Sequence, residues 1–160
     1  FDVVSRIEAH ADGLDRLYLT HTHPDHVENV AAVRDAFDVE TWGFDPESEY
    51  VDHRIADGET VRIGDEDYEA LHTPGHKPDH LCFYSRSAGV CFAGDLVFAN
   101  GAFGRTDLEG GDRATLVESI ASLRRSLGED LDVIHVGHGP SLTGRPLDDV
   151  ERSLQGARIG

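Results

Sequence analysis

The alternation of apolar and polar positions along the chain predicts short strands separated by helices and polar loops. Apolar runs rich in β-branched and aromatic residues are typical of strands. They lie at 15–20, 39–44, 60–65, 67–73, 80–85, 89–95 and 131–137. Gly64 predicts a tight turn between two of these strands, and "RSAG" predicts a hairpin between two others. The acidic stretch 45–59 predicts a loop.

Helical spacing of apolar residues appears in four segments. Residues 1–10 place Phe1, Val4 and Ile7 on one face, and Pro24 predicts the first turn of a helix that continues to residue 37. A third helix is capped by Asp112 and ends at Gly128, and a fourth covers 146–155. Strands and helices therefore alternate, which predicts an α/β or α+β fold.

Four predicted strands end in corners that are rich in Gly, Pro, His and Asp. The strands at 15–20, 68–72, 89–93 and 131–136 run into "THTHPDH", "HTPGHKPDH", "AGDL" and "GHGP". Polar loops that meet at one edge of a sheet are a common way to build an active site. We therefore expect a functional site where these corners meet.

The composition indicates one globular domain with a strongly acidic surface. The 160 residues, treated as a single domain 1–160, carry 31 acidic against 14 basic side chains, for a net charge of −17. Dispersed acidity of this kind suits a halophile's high-salt cytoplasm, although an ordinary acidic enzyme is the alternative. No apolar run approaches the ~20 residues of a membrane span. Because the chain begins at Phe1 and contains no Met, we expect an incomplete N-terminus.

The two cysteines are predicted to be buried and free. Cys82 and Cys91 both lie in apolar runs, "LCFY" and "VCFAG". A disulfide across neighbouring strands is the alternative, but a single pair of cysteines does not form a disulfide framework.

The segment "THTHPDHVENV" concentrates metal-binding side chains. His21 and His23 alternate in an extended segment and point the same way, whereas Asp25 and His26 begin a helix and turn differently. Two divergent pairs of donors suit two metal ions better than one. Imidazoles with one carboxylate are a good donor set for zinc and an acceptable one for iron or manganese.

The remaining donors must come from other strand ends, and His76, Asp95 and His138 each follow a predicted strand. The arrangement that we predict is His21, His23 and His76 on one ion, Asp25, His26 and His138 on the second, and Asp95 on both. The other histidines are expected to be structural or at the surface: His10, His53, His72, His80 and His135. Of these, His72 and His80 flank His76, where they could support a ligand or contact substrate.

In this order, "HTHPDH", "TPGH", "GD" and "GHGP" resemble the motifs of the metallo-β-lactamase-fold superfamily. Its His-x-His-x-Asp-His motif matches residues 21–26, and the later ligands match the same three positions. The resemblance implies an αββα sandwich of two mixed sheets covered by helices. Members usually begin with strands that carry an Asp-x-Gly turn, so we expect the first sheet to be incomplete here.

The segment "GAFGRTDLEGGD" at 101–112 is similar to glyoxalase II-like hydrolases and to persulfide dioxygenases. This resemblance implies hydrolysis of a thioester or related ester through a metal-bound hydroxide, with two Zn²⁺ as cofactors. Asp25 is implied as a proton carrier. Arg105 could hold an anionic group of a small-molecule substrate, with an internal salt bridge to Asp107 or another acid as the equal alternative. We expect a cytoplasmic enzyme without a membrane partner.

Three other functions are consistent with parts of the pattern. A persulfide dioxygenase would bind one iron through the residues matching His21, His76 and Asp95. A nuclease would use two metals, but the chain has no basic stripe and its acidity disfavours phosphates. A non-catalytic module is disfavoured because all seven candidate ligands are present.

Overall fold

Two sheets form the centre of the fold in the computed structural model, which describes residues 2–159. The smaller sheet has the order β1-β2-β3, with both pairings parallel: β1 Leu17–Tyr18, β2 Thr41–Gly43 and β3 His53–Arg54. The larger has the order β4-β5-β6-β7-β8: β4 Thr60–Ile63, β5 Glu66–His72, β6 Leu81–Ser85, β7 Val90–Phe92 and β8 Val133–His135. Its pairings are antiparallel except for the parallel pair β7–β8, so this sheet alone is mixed among the described residues.

Helices cover the sheets on both outer faces. They are α1 Val3–Glu8, α2 Pro24–Val27, α3 Val30–Phe37, α4 Arg113–Ser126 and α5 Pro146–Ile159. Phe1, which the spacing assigned to the first helix, lies outside the described residues. None of the helices within residues 2–159 has both the length and the apolar character that a bilayer span requires.

Three apolar clusters pack the helices and the two sheets against one another. One joins the larger sheet to α4 and α5 through residues such as Ile134, Leu116 and Val150, which are fully buried. A second lies between the sheets, where Phe83 meets Tyr18 with ring centroids 6.0 Å apart. The third packs α2 and α3 on the smaller sheet through Val27, Val30 and Leu19. The αββα sandwich is therefore confirmed, but the expectation of two mixed sheets is wrong for the smaller one, whose described pairings are both parallel.

Two local predictions were wrong. The helix expected from Pro24 to residue 37 is interrupted at Glu28 and Asn29, which separates α2 from α3. The interruption lets Asp25 and His26 on α2 approach the strand ends, while Val30 and Val33 on α3 stay in the core. The predicted loop 45–59 contains β3, because the N–H of fully buried Ile55 donates to the Gly43 carbonyl at 2.7 Å.

Helix α4 is attached to the loop between β5 and β6. The Asp112 side chain accepts from the Thr115 N–H at 2.7 Å, as the sequence predicted, and its own N–H donates to the Gly75 carbonyl at 2.8 Å. Gly75 has φ +131°, and a Cβ there would lie 2.3 Å from the Leu116 backbone nitrogen. Only glycine fits this close approach, which holds the residues before His76 against the helix.

Cys82 and Cys91 are free and fully buried, so the prediction for this pair is confirmed. Burial raises the pKa of the Cys82 thiol to about 12, and burial also raises the pKa of Cys91. Both side chains therefore stay as neutral thiols at physiological pH.

Candidate metal centre

Four strand ends bring the predicted ligands to one edge of the sandwich. His21 and His23 follow β1, and Asp25 and His26 lie on α2 directly after them. The other three come from the larger sheet, with His76 between β5 and β6, Asp95 after β7 and His138 after β8. The Leu81 N–H donates to the Thr20 carbonyl at 2.7 Å, which joins the two sheets at this edge.

The inner ligand set consists of His21, His23 and His76. Their donor atoms lie within 4.8 Å of one another, and His23 Nδ1 is 2.9 Å from His76 Nε2. All three residues are buried, with 1%, 9% and 4% of their surface exposed. This set is therefore shielded from bulk water.

The outer ligand set consists of Asp25, His26 and His138. His138 Nε2 lies 3.0 Å from Asp25 Oδ2 and 3.3 Å from His26 Nε2. The Asp25 and His138 side chains are 54% and 57% exposed, against 16% for His26. This set forms the solvent-facing part of the centre.

Asp95 lies between the two sets. Its Oδ2 is 3.2 Å from His26 Nε2, 3.3 Å from His138 Nε2 and 3.4 Å from His76 Nε2. Burial raises the pKa of the Asp95 carboxyl, but hydrogen bonds with His26 and His76 and the charges of His26 and His21 together outweigh this effect and leave the pKa below its usual value. The carboxylate is therefore ionised and placed to serve both sets.

Several donor atoms of this cluster are suited to bind divalent cations. His21 Nε2 and Asp95 Oδ1 are buried and have no hydrogen-bond partner among residues 2–159. Unpaired buried polar atoms cost about 1–3 kcal/mol each, so their retention here fits a cation that they would bind. Burial, followed by the neighbouring His80 and His26, lowers the pKa of His21, which keeps its imidazole neutral and able to donate a lone pair.

Backbone packing keeps room for these donors. A Cβ on Gly137 would lie 2.0 Å from Asp95 Oδ1 and 2.8 Å from His26 Cε1. Any larger residue at 137 would occupy the space in which the Asp95 carboxylate meets the histidines.

Two hydrogen bonds orient the donors from behind. His76 Nδ1 donates to the Arg105 carbonyl at 2.8 Å, which leaves the Nε2 lone pair directed to the cluster. His80 Nε2 accepts from the Asp95 N–H at 3.0 Å, so His80 Nδ1 carries the proton and donates to Thr73 Oγ1 at 2.8 Å. Burial, with a smaller effect of His76, lowers the pKa of fully buried His80 to about 3.

A cleft of about 410 Å³ opens over the centre. Ligands from both sets line it, together with the apolar side chains Phe98, Phe103 and Leu108. Arg105 lines it as well, but its Nε and Nη2 each donate to Asp107 at 2.7 Å. Hydrogen bonding from Arg105 lowers the pKa of Asp107 to about 2. Arg105 therefore forms the internal salt bridge that was one of its two predicted roles.

The remaining histidines have structural contacts. His72 stacks on Phe44 with ring centroids 3.8 Å apart, and His53 lies 2.8 Å from Glu40. The supporting role of His80 was open in the sequence, because flanking a ligand does not say which atom it contacts. Lys77, Asp79 and Thr22 form a polar cluster beside the centre that the sequence analysis missed. Their position directly beside ligands was the available signal.

Comparison with known protein families identifies the superfamily of this chain. The model described as the metallo-beta-lactamase superfamily matches residues 4–138. The chain belongs to this superfamily. Membership implies a divalent metal, and the ligand sets around Asp95 are the groups of the described chain that could bind it.

Curated relatives in this superfamily include named hydrolases. Hydroxyacylglutathione hydrolase GloC of Haemophilus influenzae is 32% identical over 163 residues, covering 88% of this chain and 76% of that protein. Thioesterase pkgB of Emericella nidulans is 31% identical over 144 residues, covering 90% of this chain but only 40% of the relative. The predicted relationship to glyoxalase II-like hydrolases is confirmed.

Solved structures of the superfamily share the fold. The BLEG-1 B3 metallo-beta-lactamase superposes with a TM-score of 0.80 at 27% identity, covering 96% of this chain and 80% of that one.

Proposed function

We propose that this protein is a binuclear metal-dependent hydrolase of thioesters or related esters. The observation that carries the proposal is the position of Asp95 Oδ2, within 3.4 Å of one histidine of the inner set and two of the outer set. The names of the relatives, a hydroxyacylglutathione hydrolase and a thioesterase, support a thioester as the substrate.

We propose two Zn²⁺ as the resident ions, one for each ligand set, because three imidazoles or two imidazoles with a carboxylate suit zinc. Such ions supply a Lewis acid for the carbonyl and lower the pKa of water to about 7. In the chain itself, the negative charge of the Asp95 carboxylate would offset positive charge at both ligand sets. His76 would be kept in its donor tautomer by the Arg105 carbonyl.

Asp25 is proposed as the residue that carries the proton. Its carboxylate lines the cleft, is half exposed and lies 3.0 Å from His138. From there it could take a proton from the attacking water and return it to the leaving thiolate. Phe98 and Phe103 also line the cleft, and their apolar rings would exclude water from it.

Arg105 is proposed to contact an anionic part of the substrate. Its side chain and that of Asp107 are 62% and 66% exposed, so this ion pair contributes little to stability and can exchange partners. A substrate carboxylate would then replace Asp107 on the guanidinium.

The net charge of −17 supports a further part of the proposal, namely that the enzyme works in the high-salt cytoplasm of a halophile. Assays are therefore best made in molar KCl, where repulsion among the surface acids is screened.

Metal analysis with a thioesterase assay tests the function. We expect two zinc equivalents per chain and hydrolysis of an acyl thioester. Asp95→Asn should lower kcat/KM by more than the ~100-fold upper range for residues that only hydrogen-bond a ligand. Asp65→Asn, at an exposed position in the β4–β5 turn, is the matched control and should leave the rate unchanged.

Two results would contradict the proposal. One iron per chain with oxygen uptake on a thiol persulfide would indicate a dioxygenase, for which His21, His76 and Asp95 would suffice. Cleavage of labelled RNA that is lost on chelation and in His23→Ala would indicate a nuclease.

A further inference from the structure

A second cavity adjoins the cleft over the metal centre. It has a volume of about 490 Å³ and shares His23 and Leu108 with the cleft. Its other lining residues are Lys77, Pro78, Glu109 and Gly110. The two cavities therefore meet beside a ligand of the inner set, and we call the second one the Lys77 groove.

Lys77 is the only lysine of the chain, and its ammonium is held in place. Its Nζ donates to Thr22 Oγ1 at 2.8 Å and lies 3.4 Å from Asp79 Oδ1. Thr22 in turn donates to Asp79 Oδ2 at 2.6 Å. Because the partners come from two different loops, the position of the ammonium is fixed before any ligand arrives.

Exposure distinguishes the two charges of this pair. The Asp79 side chain is 5% exposed, whereas that of Lys77 is 25% exposed and lines the groove. A ligand in the groove therefore contacts the cation and not the carboxylate. Partial burial also strengthens the attraction of Lys77 for an anion relative to that of a fully solvated side chain.

The other charges of the site limit what the groove can bind. Arg105 lines the cleft over the metal centre but not the Lys77 groove, so its guanidinium does not serve a ligand in the groove. Glu109 lines the same groove as Lys77 and repels a ligand with several negative charges. The balance favours a group that carries a single carboxylate.

We propose that Lys77 binds a carboxylate on the thiol portion of the substrate and so determines which thioesters are hydrolysed. This inference rests on the proposed thioester hydrolysis. A thioester has two limbs that meet at the scissile carbonyl, as the two cavities meet beside His23. The acyl limb lies in the cleft against Phe98 and Phe103, and the thiol limb lies in the Lys77 groove.

The test compares two ligands that differ only in charge. Two thioesters share one acyl group, and their thiol limb ends in a carboxylate or in the corresponding primary amide. Two unreactive thioethers of the same shapes report binding to the metal-loaded protein by calorimetry at fixed ionic strength. We expect the wild-type protein to bind the carboxylate thioether about tenfold more tightly than the amide, as a hydrogen bond to a charged group allows.

Variants at position 77 should change this ratio and little else. Lys77→Met should bring the carboxylate-to-amide ratio close to one, by raising KM for the carboxylate thioester without changing kcat for the amide. Lys77→Arg should keep most of the preference. Arg145→Met removes a positive charge that is 85% exposed and does not line either cavity, and should leave the ratio as in the wild type.

Loss of Lys77 leaves Asp79 buried without its cation, so a double variant is included. Lys77→Met with Asp79→Asn removes both charges and should also abolish the preference. An unchanged ratio in either variant overturns the proposal. An equal fall in kcat for both thioesters with the ratio retained does so too, because Lys77 would then only position the ligand loops. If the thioethers bind with the expected ratio but neither thioester is cleaved, the proposed reaction fails while the carboxylate site stands.

Discussion

The inner and outer ligand sets have similar donors but very different surroundings. The three histidines of the inner set are all at most 9% exposed, while the Asp25 and His138 side chains of the outer set are more than half exposed. The inner set is held by loops that are attached to the core, through the His76–Arg105 hydrogen bond and the contact of Gly75 with α4. The outer set combines the short helix α2 with the loop after β8.

This difference indicates a division of tasks within one centre. Buried, oriented donors make the inner set the more rigid site, since their geometry changes little when an ion binds. Exposed donors make the outer set the side on which water and substrate arrive. We expect the two ions to differ in affinity, with the outer one released first.

The largest expected effect comes from removing one histidine of each set. His138→Ala should keep one equivalent of metal, whereas His23→Ala should lose the inner ion and also destabilise the metal-free protein, because His76 Nε2 loses its 2.9 Å partner. Both should lower kcat/KM more than 100-fold. Elemental analysis after graded chelation, with urea unfolding of the metal-free variants, measures both effects. The comparison breaks down if the ion that remains in each variant is removed at the same chelator concentration.

His80, behind the inner set, and His26, in the outer set, should contribute to the pH dependence of the free energy of unfolding with opposite signs. His80 behind the inner set has its pKa lowered to about 3 by burial, so below pH ~6.5 the unfolded chain binds a proton that the folded chain does not. His80 by itself therefore contributes a loss of stability of the metal-free protein as the pH falls from about 6.5, with a slope approaching about 1.4 kcal/mol per pH unit.

His26 in the outer set should act the other way. Burial is the largest single effect and lowers its pKa, but the hydrogen bond with Asp95 and the negative charges of Asp95 and Asp25 together outweigh burial and raise the pKa overall. Protonated His26 stabilises the folded chain fully at pH values below its pKa in the unfolded chain. This stabilisation is lost as the pH rises through its higher pKa in the folded chain. Urea unfolding between pH 4.5 and 7.5 should show a shallower acid-side loss in His80→Gln and a steeper one in His26→Gln. Identical slopes in the three proteins would be inconsistent with this account.

The smallest effect is expected from the cap of α4, which holds in place the Asp112 N–H that donates to the Gly75 carbonyl before the inner ligand His76. Asp112→Ala removes the cap that accepts from Thr115 and should lower the Tm by about 2–4 °C. Asp112→Ser keeps a capping oxygen and should recover most of this loss. Calorimetry measures the Tm, and metal titration should show weaker binding at the inner set alone. Weaker binding at the outer set as well would show that the two sets are not attached independently.

Local spacing explains why so much of the site could be predicted. The alternation of His21 and His23 and the turn at Pro24 are properties of six consecutive residues, and strand ends indicated His76, Asp95 and His138. Each rule needs only neighbours in sequence or the shared edge of a sheet. The assignment of these residues to two zinc ions stays a prediction.

Features that depend on distant partners could not be predicted in this way. Thr22 and Asp79 are 57 positions apart, so their hydrogen bond has no trace in the local pattern. Strand β3 depends on Ile55, which lies in a stretch with many acidic residues and becomes fully buried, with its N–H donating to the Gly43 carbonyl of β2. The break between α2 and α3 arises because the ligands and the core lie in different directions from one helix, which the valine spacing alone does not reveal.

The depth of Cys82 and Cys91 has a consequence for an enzyme that would release a thiol. A leaving thiolate exchanges with protein sulfur only where it meets an accessible thiolate or disulfide, and both cysteines are neutral, unpaired and out of reach of solvent. Mixed disulfides with the product should therefore not accumulate on this chain, and repeated turnover should not inactivate it by that route.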